Sequence, residues 1–191
     1  MRGQILDEFL TYYYKAGTEP FRTLSTLNDD EFMAVMKDNF PEDRLSHKAP
    51  RRRITERRAT EQWLRETFIK QGGKPKLDYP FYMVLGTSNY IEQYDGFEGI
   101  YHTVQVPLAE FDSTDVSFTY PDSVISKWLA DCHHPLYNSA YHGKIFSLSA
   151  IRALIANYGI TGCEWVEQPE RKFDIFIEAQ IWNDAPLQSY L

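Results

Sequence analysis

The sequence predicts a single α+β domain over residues 1–191. A helical N-terminal part runs to about residue 73, and a mixed, mostly antiparallel sheet with interspersed helices fills about 78–191. Three observations lead there. Before Gly72-Gly73, apolar residues recur at helical spacing, as at Ile54, Leu64 and Phe68. After Pro75, apolar and alternating runs take over at 81–85, 116–120 and 173–182. The helices and strands do not alternate regularly, so a doubly wound parallel sheet is not expected. A chain of 191 residues is long enough for one sizeable core.

Taken in order, Ile5, Leu6, Phe9, Leu10 and Tyr13 fit a first helix from about Gly3 to Lys15, stopped by Gly17. Asn28, followed three positions later by Glu31, is a helix start of the capping-box type. Phe32, Met33 and Met36 form the inner stripe of that second helix, which Phe40-Pro41 ends. Arg51-Arg52-Arg53 opens a third helix that reaches Gln71, with Ile54, Leu64 and Phe68 turned inward and Trp63 beside them.

The segment 81–85 is apolar on both faces and belongs at the centre of a sheet. A further strand spans 101–106 and another 116–120. Pro121-Asp122-Ser123 turns the chain into a short helix around 124–130, and 142–146 reads as a short strand. Ser147 or Ser149 caps a fourth helix with Ile151, Leu154, Ile155 and Tyr158 inward and Gly159 at its end. The last strand, 173–182, has a wholly apolar face made by Phe173, Ile175, Ile177, Ala179 and Ile181. Its other face carries Asp174, Phe176, Glu178, Gln180 and Trp182. Glu178 and Gln180 thus point the same way between two aromatics, as the floor of a cleft would.

Composition narrows the function classes. With 20 basic and 27 acidic residues the net charge is −7, which argues against broad, non-specific nucleic-acid binding. The 2 cysteines, Cys132 and Cys163, form neither a CxxC pair nor a disulfide framework, as suits a reducing cytoplasmic setting. No apolar run is long enough for a membrane span. GxSxG, P-loop, GxGxxG and HExxH motifs are absent. Cys132, His133, His134 and His142 are zinc-ligand types without ligand spacing, so no metal is expected there. Arg51, Arg52 and Arg53, with Arg57 and Arg58, are candidate phosphate contacts for a nucleotide or nucleic acid. The same helix also reads as a solvated face paired by Arg52 with Glu56 and Arg57 with Glu61.

Several stretches, in order, resemble the ADP-ribosyltransferase-like fold: Tyr14-Lys15-Ala16-Gly17-Thr18 its aromatic opening, 102–108 its middle strand, Ser117-Phe118-Thr119 its Ser/Thr-rich strand, and Glu178 its late catalytic glutamate. The opening departs from the family at Lys15 and Gly17, where histidine or arginine is usual. The resemblance implies NAD as co-substrate and Glu178 as the catalytic residue. Under it, Arg22, Ser117, Tyr120, Ser123 and His142 line the cofactor cleft, and the target is a macromolecule. Tyr141-His142-Gly143-Lys144 and the segment 176–182 also look like a family of uncharacterised bacterial proteins, which implies no activity. Asp122 with Glu178 is loosely similar to the PD…(D/E)xK nucleases, with Gln180 in place of the lysine. Three function classes follow: an NAD-consuming transferase, a metal-dependent nuclease using Asp122 and Glu178, and a non-catalytic protein-interaction module.

Overall fold

A computed structural model of the chain describes residues 9–39, 50–94, 101–159, 162 and 164–191. Eleven elements matter here. They are β1 (Phe9–Lys15), α1 (Asp29–Asn39), α2 (Pro50–Lys70), β2 (Phe81–Leu85), α3 (Asn89–Tyr94), β3 (Tyr101–Pro107), β4 (Val116–Thr119), α4 (Ser123–Asp131), α5 (Leu148–Tyr158), α6 (Glu164–Glu167) and β5 (Glu178–Ile181). The five strands make one sheet in the order β3-β1-β2-β5-β4, and every pairing is antiparallel. The α+β class is as the sequence predicts, and β2, apolar on both faces, is the central strand.

The first helix is a correction: residues 9–15 form β1, paired on both sides, and residues 1–8 lie outside the described residues. The helical spacing of Phe9, Leu10 and Tyr13 was a coincidence of a strand with apolar side chains on both faces. The run Thr11-Tyr12-Tyr13-Tyr14 is built from β-branched and aromatic types that suit a pleated surface. The sheet therefore begins in the N-terminal part, not after residue 78. Two further boundaries differ. The last strand starts at Glu178, five residues later than its apolar pattern suggests. Residues 142–146 supply one bridge, Phe146 to Phe118, rather than a strand.

One face of the sheet presents Leu10, Met83, Leu85, Val106, Phe118, Ala179 and Ile181 to the main core, where Ile151 and Leu154 of α5 pack against them. Ile177 joins this core, as its place on the apolar face predicts. On the other face α2 sets Leu64 and Phe68 against Trp182 and Ile145, with Tyr82 alongside. Gly72, at φ +93°, ends α2. At Gly73 the Phe68 ring leaves no room for a Cβ, which would lie 2.5 Å away. In α1 the predicted capping box forms: Asn28 Oδ1 accepts from the Glu31 amide at 2.9 Å, and Glu31 Oε2 accepts from the Asn28 amide at 3.0 Å. Phe32 then meets Ile54 of α2. Residues 40–49, including Phe40-Pro41, and the side chains of Met36, Arg51, Arg52 and Arg53 lie outside the described residues.

Candidate active site

The site begins with strand register. Glu178 stands opposite Val84 of β2 and Thr119 of β4, and Gln180 stands opposite Tyr82 and Ser117. Alternation puts these side chains on the α2 side of the sheet. Glu178, Gln180 and Trp182 share that face, as their spacing predicts. Gln180 Nε2 donates to Glu178 Oε1 at 2.8 Å and to Thr119 Oγ1 at 3.0 Å. Gln180 Oε1 accepts from the Ser117 hydroxyl at 2.9 Å, and Ser117 Oγ accepts from Trp182 Nε1 at 2.9 Å. Both polar ends of the Gln180 amide are thereby satisfied in a fully buried position.

β4 leads directly into α4, and the N-terminal amides of that helix are shared between two carboxyl groups. Asp122, the N-cap, accepts at Oδ1 from Val124 N at 3.1 Å and from Ile125 N at 3.0 Å. Ser123 N donates to Glu178 Oε1 at 3.2 Å. Asp122 Oδ2 is buried without a hydrogen-bond partner. Burial, followed by the nearby Asp122 charge, pushes Glu178 up to about 7, against the hydrogen bonds of Ser123 and Gln180. Burial pushes Asp122 up to about 6, opposed by the α4 amides. Two acids that stand 56 positions apart in the sequence (122 and 178) meet here as one titrating pair.

Glu178 lines a cavity of about 430 Å³, walled by Tyr12, Tyr13, Tyr14, Tyr82, Arg22, Arg57, Ser123 and Val124 among others. Arg57 is held in place from three directions. Its Nε donates to Glu61 Oε1 at 3.0 Å and to Ser25 Oγ at 2.9 Å, and its guanidinium lies 4.7 Å from the Tyr82 ring centre. The Tyr82 hydroxyl donates to the same Glu61 oxygen at 3.0 Å. Glu61 is 0 % exposed. The Arg57 and Glu61 pair read as part of a solvated face is thus half-buried: Glu61 is enclosed beneath Tyr82 and the sheet, while the Arg57 side chain keeps 30 % of its surface exposed. Sequence reading found the four-residue spacing but not this role, and missed Tyr82 altogether.

The predicted cofactor-binding set is divided. Arg22 and Ser123 line the cavity with Glu178. Ser117 lies behind it, reaching Glu178 through Gln180. Tyr120 is fully buried, packs edge-on against Tyr141 at 4.7 Å, and receives a hydrogen bond from Arg171. His142, 3 % exposed, accepts from Asn138 N at 2.8 Å, and its Nε2 lies 3.8 Å from Asp174. Neither Tyr120 nor His142 is among the cavity walls. Trp182 is also displaced from its expected part: it is fully buried and stacks on Phe68 at 6.1 Å. The cavity aromatics are instead tyrosines of β1 and β2.

Among the described residues no three His, Cys, Asp or Glu side chains converge as a metal cluster. Cys132 is exposed, and His134 packs between Trp128 and Phe173. Arg51, Arg52 and Arg53 lie at the start of α2. Among the described residues no helix is long and apolar enough to cross a membrane. Comparison with family models, curated proteins and solved structures finds no match for this chain. The site must therefore be read from its own chemistry. It combines a buried carboxyl pair, a rigid amide behind one carboxyl, and a tyrosine-walled space in front.

Proposed function

We propose that the chain is an NAD-consuming transferase of the ADP-ribosyltransferase-like kind, with Glu178 as its catalytic residue and a macromolecule as acceptor. One observation carries the reading: Glu178 is a buried carboxyl, fixed by Gln180 and Ser123, on the wall of a tyrosine-rich cavity. At about 430 Å³ the cavity falls in the range of small-molecule sites, roughly 300–1,000 Å³. Its tyrosine rings suit a flat cationic ring such as nicotinamide.

The chemistry follows from charge. When the bond between nicotinamide nitrogen and ribose carbon breaks, nicotinamide leaves neutral with the electron pair and the ribose carbon becomes cationic. An ionised Glu178 in a dry site stabilises that cation. A nucleophile of the acceptor then bonds to the carbon and releases a proton, which the carboxyl pair can take. Activity should therefore rise with pH through about 7 as Glu178 ionises.

The test is nicotinamide release from NAD with mixed protein and nucleic-acid acceptors. Wild-type protein should release it, and Glu178→Gln should lower turnover at least about 100-fold with NAD binding kept. Wild-type protein that neither binds nor consumes NAD would sink this reading. The meeting of Asp122 with Glu178 favours the nuclease as a second reading. Cleavage of DNA or RNA that needs added magnesium or manganese and is lost in Asp122→Asn would select it. Failure of both assays leaves the protein-interaction module.

A further inference from the structure

We propose that Trp182, Ser117 and Gln180 form a one-way hydrogen-bond relay that makes Glu178 Oε1 a permanent acceptor and Oε2 the oxygen that gains and loses the proton. Gln180 is the positioning residue, and Ser117 and Trp182 hold its amide in one orientation. The relay concerns the same carboxyl as the transferase reading, but it does not depend on NAD.

The direction is forced from one end. An indole N–H can only donate, so Ser117 Oγ accepts from Trp182 at 2.9 Å. The Ser117 hydroxyl proton then has to go to its other neighbour, Gln180, also at 2.9 Å. A buried hydroxyl that donated nowhere would leave its proton without a hydrogen bond, which folded interiors avoid. The Gln180 atom facing Ser117 is therefore the carbonyl oxygen, and the NH₂ group must face Thr119 and Glu178. The orientation of that amide follows from the presence of tryptophan at the head of the chain.

At the other end, Glu178 Oε1 receives two donors, Gln180 Nε2 at 2.8 Å and Ser123 N at 3.2 Å. Neither donor can turn round: one belongs to a fixed amide and the other to the backbone. A proton on Oε1 would point at both of them. Protonation must go to Oε2, so the acid has a defined working edge. Asp122 from the start of α4 and Tyr82 of β2, with Arg57 of α2 over the Tyr82 ring, lie near it, and Tyr12, Tyr13, Lys15, Glu19 and Arg22 share the cavity it lines. None of these is altered by a change at Ser117.

Loss of the Ser117 hydroxyl frees Gln180 to turn its oxygen toward Glu178, which opposes the carboxylate and favours the acid. The test follows the Glu178 carboxyl carbon by NMR in protein carrying ¹³C-labelled glutamate, with Glu178→Gln to identify the signal. Ser117→Ala should move the titration midpoint upward by roughly half to one pH unit. Ser117→Thr, which keeps the hydroxyl, should restore it. Trp182→Phe should shift it in the same direction as Ser117→Ala. An unchanged midpoint in folded Ser117→Ala or Trp182→Phe overturns the relay. The native protein supplies a check that needs no variant. The Gln180 side-chain amide protons should move with the Glu178 midpoint, and amide protons insensitive to that titration overturn the proposal. If the midpoint shifts and NAD is untouched by any form of the protein, the relay stands and the transferase reading falls.

Discussion

At the scale of single residues, two carboxyl groups do two jobs with one helix end. Asp122 takes two amides of α4 and Glu178 takes a third. Removing the cap should therefore cost both folding and the site. Asp122→Ala should lower stability by about 1–2 kcal/mol in a denaturant titration, while Asp122→Asn, which still accepts from the amides, should cost less. If Ala and Asn behave alike, the cap is not what holds α4. Part of this was legible. The shared face of Glu178 and Gln180 follows from the two-residue period of a strand, and Asp122 stands where a helix start is expected. What spacing does not encode is burial of a charge. Glu61 looked like half of a surface pair, and only the sheet packed over α2 makes it an internal anchor for Arg57 and Tyr82.

At the scale of elements, the longer helices were readable because each carries an apolar stripe and a start or stop signal: Asn28 with Glu31 opens α1, Gly72 ends α2, and Ser147 and Gly159 bound α5. The helices α3 and α6, of 6 and 4 residues, are too short to show a stripe and were not read. β1 was not, because a strand bonded on both sides and apolar on both faces shows no clean alternation. The same blurring hid the true start of β5, where 173–177 keeps the apolar pattern without a full ladder. Its backbone does bond at one point, Leu85 N to Ile177 O at 3.0 Å. Ile177 itself is 1 % exposed in the main core. Ile177→Asp should be severely destabilising, by several kcal/mol, roughly, since an unpaired charge would enter the core. A soluble variant with an unchanged melting temperature would remove that face from the core. On the opposite face, Glu61→Gln should keep the fold and disturb the cavity wall, because Gln still accepts from Tyr82 but gives Arg57 no charge. The readout is a weaker ligand affinity in whichever assay first detects binding.

At the scale of the whole molecule, burying two acids side by side makes stability depend on pH in a definite direction. Asp122 rises from 3.8 to about 6 and Glu178 from 4.5 to about 7 on folding. Well below pH 3.8 both groups hold their protons in the folded and unfolded chain alike. Between about pH 4 and 7 the folded chain binds more protons than the unfolded one. Stability linked to this pair is therefore fully present in acid and is lost as pH rises through that window. The loss is on the order of a few kcal/mol for the pair, which for a chain of this size corresponds to roughly 5–10 °C of melting temperature. The double variant Asp122→Asn with Glu178→Gln keeps shape and hydrogen-bond acceptors but has nothing to ionise. Its melting temperature should exceed that of wild type at pH 8 and match it more closely at pH 5. A stable site with no function would gain from such a replacement. On the transferase proposal, the two ionisable groups at this destabilising position would supply a proton acceptor working near neutral pH. Identical melting profiles for wild type and double variant between pH 5 and 8 would mean that both carboxylates are solvated, and the case for a dry catalytic pair would go with them.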